Sequence, residues 1–187
     1  MKILALVDQG AEFSPCRTWR YRLWRTWAEG PRLAVVGLNP STADETTNDP
    51  TVTRCIGYAR SWGFGGLVML NLFAFRGTDP RTTLIAPDPV GPRNLDAIVE
   101  ACLEVHLEGG AILAAWGCHG RHRGQGEIVK TRLGDVGLPV ACLGFTKGGD
   151  PRHPLYLRRD ELPVPFVGDG GLLYSVEWQA LMTGAYL

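Results

Sequence analysis

The feature that most constrains the fold is an uninterrupted apolar run at residues 33–36, which passes directly into the turn GLNPS at residues 37–41. A short apolar run that ends in Gly and Pro is typical of a strand buried on both faces, as in a parallel sheet. Open α/β sheets place ligands beyond the carboxyl ends of such strands. Because Gly37 lets a ligand approach the backbone and Asn39 offers an amide, this turn is the first candidate site.

Three further apolar runs alternate with helical patterns along the chain. The runs lie at residues 67–71, 111–115 and 139–143, and the helical patterns lie between Asp49 and Gly63, at about 91–107 and at about 123–133. This alternation predicts right-handed crossover connections. We therefore expect an α/β fold, a three-layer α/β/α sandwich with a four-stranded parallel central sheet. We expect one domain over residues 1–187, with its core at about 31–160.

Two extensions flank this predicted core. Trp19, Leu23 and Trp27 recur every four residues, which predicts an amphipathic helix at about residues 17–29. The arginines between them either form a basic and aromatic surface for nucleic acid or are solvated on a packed helix. The C-terminal tail at 166–187 receives no assignment to a helix or strand.

Composition limits the possible partners. The 19 basic and 19 acidic residues balance, so nucleic-acid binding would have to rest on a local patch. Residues 121–159 contain eight basic and three acidic residues, an excess that either follows a phosphate backbone or is an ordinary solvated surface. No apolar run approaches the roughly 20 residues that span a bilayer, and no signal peptide is recognisable. We therefore expect a cytoplasmic protein without a membrane partner.

The polar residues that follow the four predicted strands are expected to be neighbours, because the carboxyl ends of parallel strands meet at one edge of a sheet. These residues are Asn39, Ser41, Asp44, Asn71, His119, Arg152 and His153. Two of them also have a structural explanation: Asn39 before Pro40 is a turn former, and His119 is compatible with a solvated helix start. A buried amide such as that of Asn71 needs several partners, which favours a binding role.

A metal site is the main rival explanation for this cluster, since His119 and His122 are three residues apart and carboxylates are nearby. However, the chain has no HExxH spacing, no CxxC pair, no GxxxxGK[ST] loop and no GxGxxG pattern after a strand. We therefore expect no metal and no cofactor. Cys55, Cys102 and Cys142 lie within apolar patterns and are expected in the core.

Four segments at the predicted strand ends resemble motifs of the uracil-DNA glycosylase superfamily. The segments are GLNPS at 37–41, VMLN at 68–71, LAAWG at 113–117 and HPLY at 153–156. They are similar, in that order, to a Gly-x-Asn-Pro-Gly turn, a strand whose Asn reads a base edge, a Leu-Leu-Trp-Gly segment and a His-Pro-Ser motif. The resemblance covers about residues 33–157 and implies a uracil-DNA glycosylase-like fold.

A closer resemblance is to an uncharacterised bacterial and phage family with an LNPSTAD signature. The matching segments are LNPSTAD at 38–44, DPT at 49–51, NLFAF at 71–75 and RHPLYL at 152–157. This resemblance is nearly full length, but it implies no settled activity.

The superfamily resemblance implies a role for each matched polar residue. Asn39 would orient the water that attacks C1′ of a nucleoside, Asn71 would read the base, and His153 would stabilise the departing base anion. Because an amide does not take up a proton near neutral pH, we expect the Asp44 carboxylate to act as the base. The remaining predicted substrate-binding residues are Gly37, Leu38, Pro40, Ser41, Phe73, Trp116, His119, Arg152 and Tyr156.

Two features depart from the superfamily pattern. Residues 41–49 are acidic where DNA phosphates would approach, and Leu155 and Tyr156 replace a Ser that would contact the DNA backbone. We expect an N-glycosidic bond hydrolase, or a binder of flipped bases, that acts on an ordinary or modified base in DNA. The alternatives are an enzyme for free nucleotides or modified nucleosides, and a non-catalytic nucleic-acid or nucleotide binding module. The expected partner is DNA or a nucleoside or nucleotide ligand, and the sequence predicts no oligomeric state.

Overall fold

One mixed sheet with helices on both faces organises the chain. The computed structural model describes residues 7–168. Its strands are β1 (Asp8–Phe13), β2 (Arg20–Thr26), β3 (Arg32–Gly37), β4 (Gly66–Asn71), β5 (Ala111–Ala114), β6 (Val140–Cys142) and β7 (Val164–Val167). Its helices are α1 (Pro50–Ser61), α2 (Pro80–Ile85), α3 (Asn94–Leu107) and α4 (Gln125–Asp135). Two 3-10 segments, Cys118–Gly124 and Pro154–Tyr156, follow β5 and β6.

The sheet formed by the described residues has seven strands in the order β1-β2-β4-β3-β5-β6-β7. β3 pairs in parallel with β4 and β5, and β5 with β6, whereas β2 is antiparallel to both β1 and β4, and β7 is antiparallel to β6. The prediction of a four-stranded parallel sheet, and of the uracil-DNA glycosylase-like sandwich built on it, is therefore wrong. The physical reason is that β4 and β6 would otherwise expose unpaired backbone groups, and segments near both ends of the chain pair with them.

The helix predicted at residues 17–29 is also wrong, because this segment contains the strand β2. A spacing of four residues follows one face of a helix, and it equally follows one face of a strand, where side chains alternate. From Tyr21 onward, the buried Tyr21, Leu23 and Arg25 alternate with the partly exposed Arg22, Trp24 and Thr26. Neither expectation holds for Arg20 and Arg25, which are buried, whereas Arg22 is partly exposed and forms an ion pair with Glu12.

The helix predicted to start at Asp49 is confirmed as α1. The Asp49 carboxylate accepts a hydrogen bond from Val52 N at 2.8 Å, and Pro50 occupies the first turn, where no N–H is needed. The predicted positions of α3 and α4 agree with the structure to within three residues. The short helix α2 lies in a segment to which the sequence analysis assigned no helix or strand.

The helices cover both faces of the sheet and bury a hydrophobic core on each. α1 packs on one face against residues such as Val35 and Met69, and α3 and α4 pack on the other against Val36 and Ile112. Cys55, Cys102 and Cys142 are buried, as predicted. The site-bearing strands are thus rigid elements held from both sides.

Residues 1–6 and 169–187 lie outside the described part, and most of the unassigned tail at 166–187 is among them. The single-domain organisation over residues 1–187 stays a prediction. Across residues 7–168, no helix has both the length and the apolar character that crossing a bilayer requires.

Candidate functional site

A cavity of about 710 Å³ lies at the carboxyl ends of β3, β4 and β5. Gly37 ends β3, Asn71 ends β4 and Trp116 follows β5, and all three line the cavity. The start of α1 and the segment that contains His153 complete the wall. The volume lies within the range of about 300–1,000 Å³ that is common for small-molecule sites.

Most residues predicted for the site line this cavity. They are Gly37, Leu38, Asn39, Ser41, Asn71, Trp116, His119, Arg152, His153 and Tyr156. Asp44, Pro40 and Phe73 are not among the lining residues. The lining residues meet although the sheet is mixed, because the strands that they follow, β3 to β6, run in the same direction.

Two of the predicted residues that do not line the cavity, Asp44 and Phe73, make contacts elsewhere in the protein. Oδ1 of Asp44 accepts hydrogen bonds from Thr46 N at 3.0 Å and Thr47 N at 2.8 Å, and these bonds lower the pKa of Asp44. Phe73 is fully buried, and its ring contacts the ring of His122. Asp44 therefore stabilises a turn, and the structure does not bring it to the cavity where a base would be needed.

The side chain of Asn39 is fixed by its nitrogen and open at its oxygen. Nδ2 donates to Gly77 O at 2.9 Å, to Pro40 O at 3.2 Å and to Thr83 Oγ1 at 3.3 Å. Because the backbone oxygens of Gly77 and Pro40 can only accept hydrogen bonds, the amide must turn its nitrogen and not its oxygen toward them. No residue in the described range donates to Oδ1, so this atom remains as an acceptor in the cavity wall.

Asn71 is a buried amide whose side chain has no hydrogen-bond partner within residues 7–168. It is 3% exposed, and its Nδ2 is buried. Its backbone position is fixed, since Asn94 Nδ2 donates to Asn71 O at 2.9 Å and to Leu72 O at 3.0 Å. Gly37 leaves room for it, because a Cβ atom at position 37 would lie 3.1 Å from Asn71 Oδ1.

His153 presents a neutral imidazole to the cavity. Its Nδ1 accepts a hydrogen bond from Leu155 N at 3.3 Å, so in the neutral form the proton is on Nε2. Burial lowers the pKa of His153, and the nearby charge of Asp49 opposes this shift without reversing it. Nε2–H is thus available as an uncharged hydrogen-bond donor at neutral pH.

Helix α1 holds the turn that carries His153. Arg54 Nε donates to Pro154 O at 3.4 Å, and Arg54 Nη2 donates to Leu157 O. The Tyr58 hydroxyl donates to Arg158 O. The imidazole is therefore positioned by the same helix whose first turn lines the cavity.

Asp49 is a cavity carboxylate that the sequence analysis placed at the start of a helix and did not include among the predicted site residues. It is 6% exposed, its Oδ1 caps α1, and none of the described residues donates to its Oδ2. Its position was a usable signal. In a β-α unit the helix starts at the edge of the sheet where the preceding strand ends, so the cap of α1 lies beside the residues that follow β3.

Arg20 is the second lining residue that sequence reasoning missed. It comes from β2, a strand that was predicted as a helix outside the core. Its guanidinium is buried in the cavity wall, and Nη1 donates to Ala43 O at 2.8 Å. No local pattern distinguishes this arginine from its neighbours Arg22 and Arg25, because its contact with the cavity depends on how β2 pairs with β4.

Ion pairs neutralise part of the basic segment at 121–159. The pairs are Arg121–Asp150, Lys130–Glu127, Arg152–Glu161 and Arg158–Asp160. Two of the acidic partners lie directly after the segment, so the excess counted within it overstates the local charge. Each pair cancels a positive charge that contact with a phosphate backbone would use.

Among residues 7–168, no three His, Cys, Asp or Glu side chains cluster in a way that could hold a metal ion.

A family model described as a protein of unknown function, DUF1643, matches residues 20–155. No curated protein and no solved structure matches the chain. The prediction of an uncharacterised family is confirmed at this level.

Proposed function

Because the chain belongs to DUF1643, a family of proteins of unknown function, we propose an activity from the chemistry of its cavity: hydrolysis of the N-glycosidic bond of a nucleoside or nucleotide. The observation that carries the proposal is the buried amide of Asn71, whose Nδ2 lacks a partner in the described part of the chain. A buried donor without a partner costs about 1–3 kcal/mol. A ligand acceptor that reaches this donor recovers that free energy on binding.

A nucleobase fits this amide because a carboxamide and the edge of a base both offer a donor beside an acceptor. The Asn71 side chain has both atoms unused within residues 7–168. Trp116 and Met69 add apolar surface to the same cavity. The base is therefore assigned to the part of the cavity between Asn71 and His153.

The departing base is assigned to His153. When the C1′–N bond breaks, the base leaves with the bonding electron pair and becomes an anion. A fixed donor in a pocket that excludes water stabilises such a charge more than solvent does. The lowered pKa of His153 supports this role, because it keeps the imidazole neutral with its proton on Nε2.

The attacking water is assigned to Asn39 and Asp49. The free Oδ1 of Asn39 accepts one hydrogen of the water and orients it, and the Asp49 carboxylate accepts the proton as the oxygen bonds to C1′. Asp49 thus takes the role that the sequence analysis gave to Asp44. All four segments that resemble uracil-DNA glycosylase motifs contribute residues to this cavity, which supports the same chemistry.

The proposal is tested by measuring released base by mass spectrometry from a panel of nucleosides, nucleotides and oligonucleotides that contain ordinary, deaminated and modified bases. Asn39→Ala and His153→Ala are expected to lower release by about 10²-fold or more. Arg159→Ala, at an exposed position outside the cavity, is the matched control. Absence of base release from every member of the panel would overturn the proposal.

A free nucleotide is the first candidate substrate, and a base extruded from DNA is the second. The ion pairs in the segment 121–159 favour the free nucleotide, because they leave fewer cations for a DNA backbone. The DNA candidate is supported by the resemblance of the four motifs. Base release from DNA that falls steeply with increasing salt would favour DNA, and release that is insensitive to salt would favour the free nucleotide.

A further inference from the structure

Arg20 is a buried cation whose hydrogen-bonding capacity is mostly unused. It is 1% exposed, and among the described residues its guanidinium makes one hydrogen bond, from Nη1 to Ala43 O. Nε is buried without a partner there. Burial lowers the pKa of Arg20 to about 10, so the side chain is still charged at neutral pH. A buried charge left in this state is costly unless a ligand completes its contacts.

Arg25, on the same strand, shows how this fold treats an arginine that serves structure. It is fully buried, but all three of its guanidinium nitrogens donate to protein acceptors. The acceptors are Asn48 Oδ1 and the backbone oxygens of Gly10, Trp24, Asp44 and Thr47. Arg25 is not among the residues that line the cavity, whereas Arg20 is. The unused donors are therefore specific to the arginine in the cavity wall.

None of the charged groups near Arg20 in the described chain neutralises it through an ion pair. Asp49 and Asp44 attract the guanidinium, while Arg76 and Arg25 repel it. No carboxylate of the described chain forms an ion pair with it. The hydroxyl-bearing residues Ser41, Thr51 and Thr78 line the same cavity and offer further donors.

We propose that Arg20 binds the phosphate group of the substrate, an inference that rests on the proposed function and restricts its substrate class to nucleotides. The planar guanidinium fork matches two phosphate oxygens, and contacts between charged groups are stronger than neutral ones. The base and the phosphate then occupy different parts of one cavity. The phosphate is either that of a free nucleotide or a diester within a strand.

Asp49 limits where the phosphate lies. Its carboxylate faces the same cavity and repels an anion, so the phosphate binds on the Arg20 side and the reacting C1′ on the Asp49 side. Replacing Asp49 by Asn keeps a residue that caps helices well and removes this repulsion. The substitution is therefore expected to tighten phosphate binding.

Calorimetric titration of the full chain with nucleosides, their 5′- and 3′-monophosphates and inorganic phosphate tests the inference. A monophosphate is expected to bind about 10–100-fold more tightly than its nucleoside. Arg20→Met, which keeps the length of the apolar stem, should reduce this ratio to about one while nucleoside affinity is unchanged. Equal affinities for nucleotide and nucleoside in the wild-type protein, or an unchanged ratio in Arg20→Met, overturns the inference.

Two further arms keep the test decisive. If Arg20→Met does not fold, Arg20→Lys is used, which keeps the charge but loses the fork and should lower the ratio partly. If no nucleoside or nucleotide binds, thermal unfolding in phosphate is compared with chloride at equal ionic strength, and the absence of a phosphate-specific rise in Tm overturns the inference. A short oligonucleotide that binds more tightly than the mononucleotide identifies a diester as the source, and weaker binding identifies a free nucleotide.

The inference and the proposed function fail in different ways. Base release that shows no preference for nucleotides over nucleosides would overturn the role of Arg20 and leave the hydrolysis standing. Phosphate binding that depends on Arg20 without any base release would do the reverse.

Discussion

Strand β2 buries an arginine near each of its ends, and the fold uses the two in different ways. Arg25 donates from every guanidinium nitrogen to protein acceptors, mostly in the loop at residues 44–48. Arg20 makes one such bond within the described chain and lines the cavity. Burial alone therefore does not separate a structural charge from a charge that awaits a ligand. The unused hydrogen-bonding capacity does.

The difference between the two arginines is tested most directly by replacing each of them in turn. Arg25→Met leaves several backbone oxygens of the 44–48 loop and its neighbours without donors, and it should lower the free energy of unfolding by about 3–5 kcal/mol. Arg20→Met removes a charge that is poorly satisfied and should change that free energy by about 1 kcal/mol or less, in either direction. Urea unfolding of both variants measures the difference, and equal losses would contradict the comparison.

The same contrast applies to two carboxylates. Asp44 and Asp49 each accept backbone N–H hydrogen bonds at Oδ1, but Asp49 lines the cavity whereas Asp44 does not. Asp49→Asn should lower base release by about 10²–10⁴-fold, because an amide takes up no proton from the attacking water. Asp44→Asn is the matched control and should leave release unchanged. Single-turnover release of base measures both, and a loss in Asp44→Asn that equals the loss in Asp49→Asn would contradict these roles.

In the imidazole ring of His153, one nitrogen has a protein partner and the other does not: Nδ1 accepts a hydrogen bond from Leu155 N–H, and Nε2 has no partner among the described residues. Burial lowers its pKa below the ordinary value of 6.5, so the unfolded chain takes up a proton before the folded protein does. Stability should therefore be full above pH 6.5 and fall as the pH drops through the lowered pKa. Base release should also fall as the pH drops, because a protonated Nδ1 can no longer accept the hydrogen bond from Leu155 N–H that positions the ring.

Urea unfolding and base release measured across this pH range, for wild type and His153→Gln, test the assignment. The variant should lose this part of the pH dependence of stability. An unchanged pH dependence in His153→Gln would assign the titration to another group.

The smallest expected effect concerns the space above Gly37. A methyl group added there lies 3.1 Å from Asn71 Oδ1, so the amide must shift by a few tenths of an ångström. Gly37→Ala should weaken ligand binding by about tenfold or less, since a displacement of 1 Å costs about 10²-fold at a reacting centre. Gly57→Ala places its methyl in open space on α1 and should stabilise the protein by about 0.5–1 kcal/mol without changing affinity. Titration and urea unfolding of the two variants measure the contrast, and equal affinities would contradict the proposed role of the Asn71 amide.

Those parts of the site that directly follow an apolar run could be predicted from the sequence. Asn39 and Asn71 were found because each closely follows a strand whose apolar residues are continuous. Arg20 could not be found in this way, because it reaches the cavity through the antiparallel pairing of β2 with β4, which links residues 40 or more positions apart. Asp49 was recognised as the start of a helix, but a helix start that also lines a cavity has the same local sequence as one that does not.

The strands at the sides of the sheet were missed for a related reason. β1, β2 and β7 are amphipathic or short, and their pairing satisfies backbone groups of β4 and β6 instead of following a strong local pattern. A four-residue repeat in β2 fits a helix and a strand equally well. Distinguishing them requires knowledge of which edge is left unpaired, and this is a property of the whole sheet.

Helix α1 sets the distance between the proposed base, Asp49, and the turn that carries the proposed leaving-group donor, His153. Asp49 lies at the start of the helix, and Arg54 and Tyr58 donate hydrogen bonds to the backbone of the turn that carries His153. The axial distance from Asp49 to Arg54 is about 7.5 Å, five residues of helical rise. One inserted residue would turn Arg54 and Tyr58 by about 100° around the axis and free the His153 turn. The separation between Asp49 and the turn that carries His153, and so between the proposed base and the proposed leaving-group donor, is therefore set by the length of this part of α1.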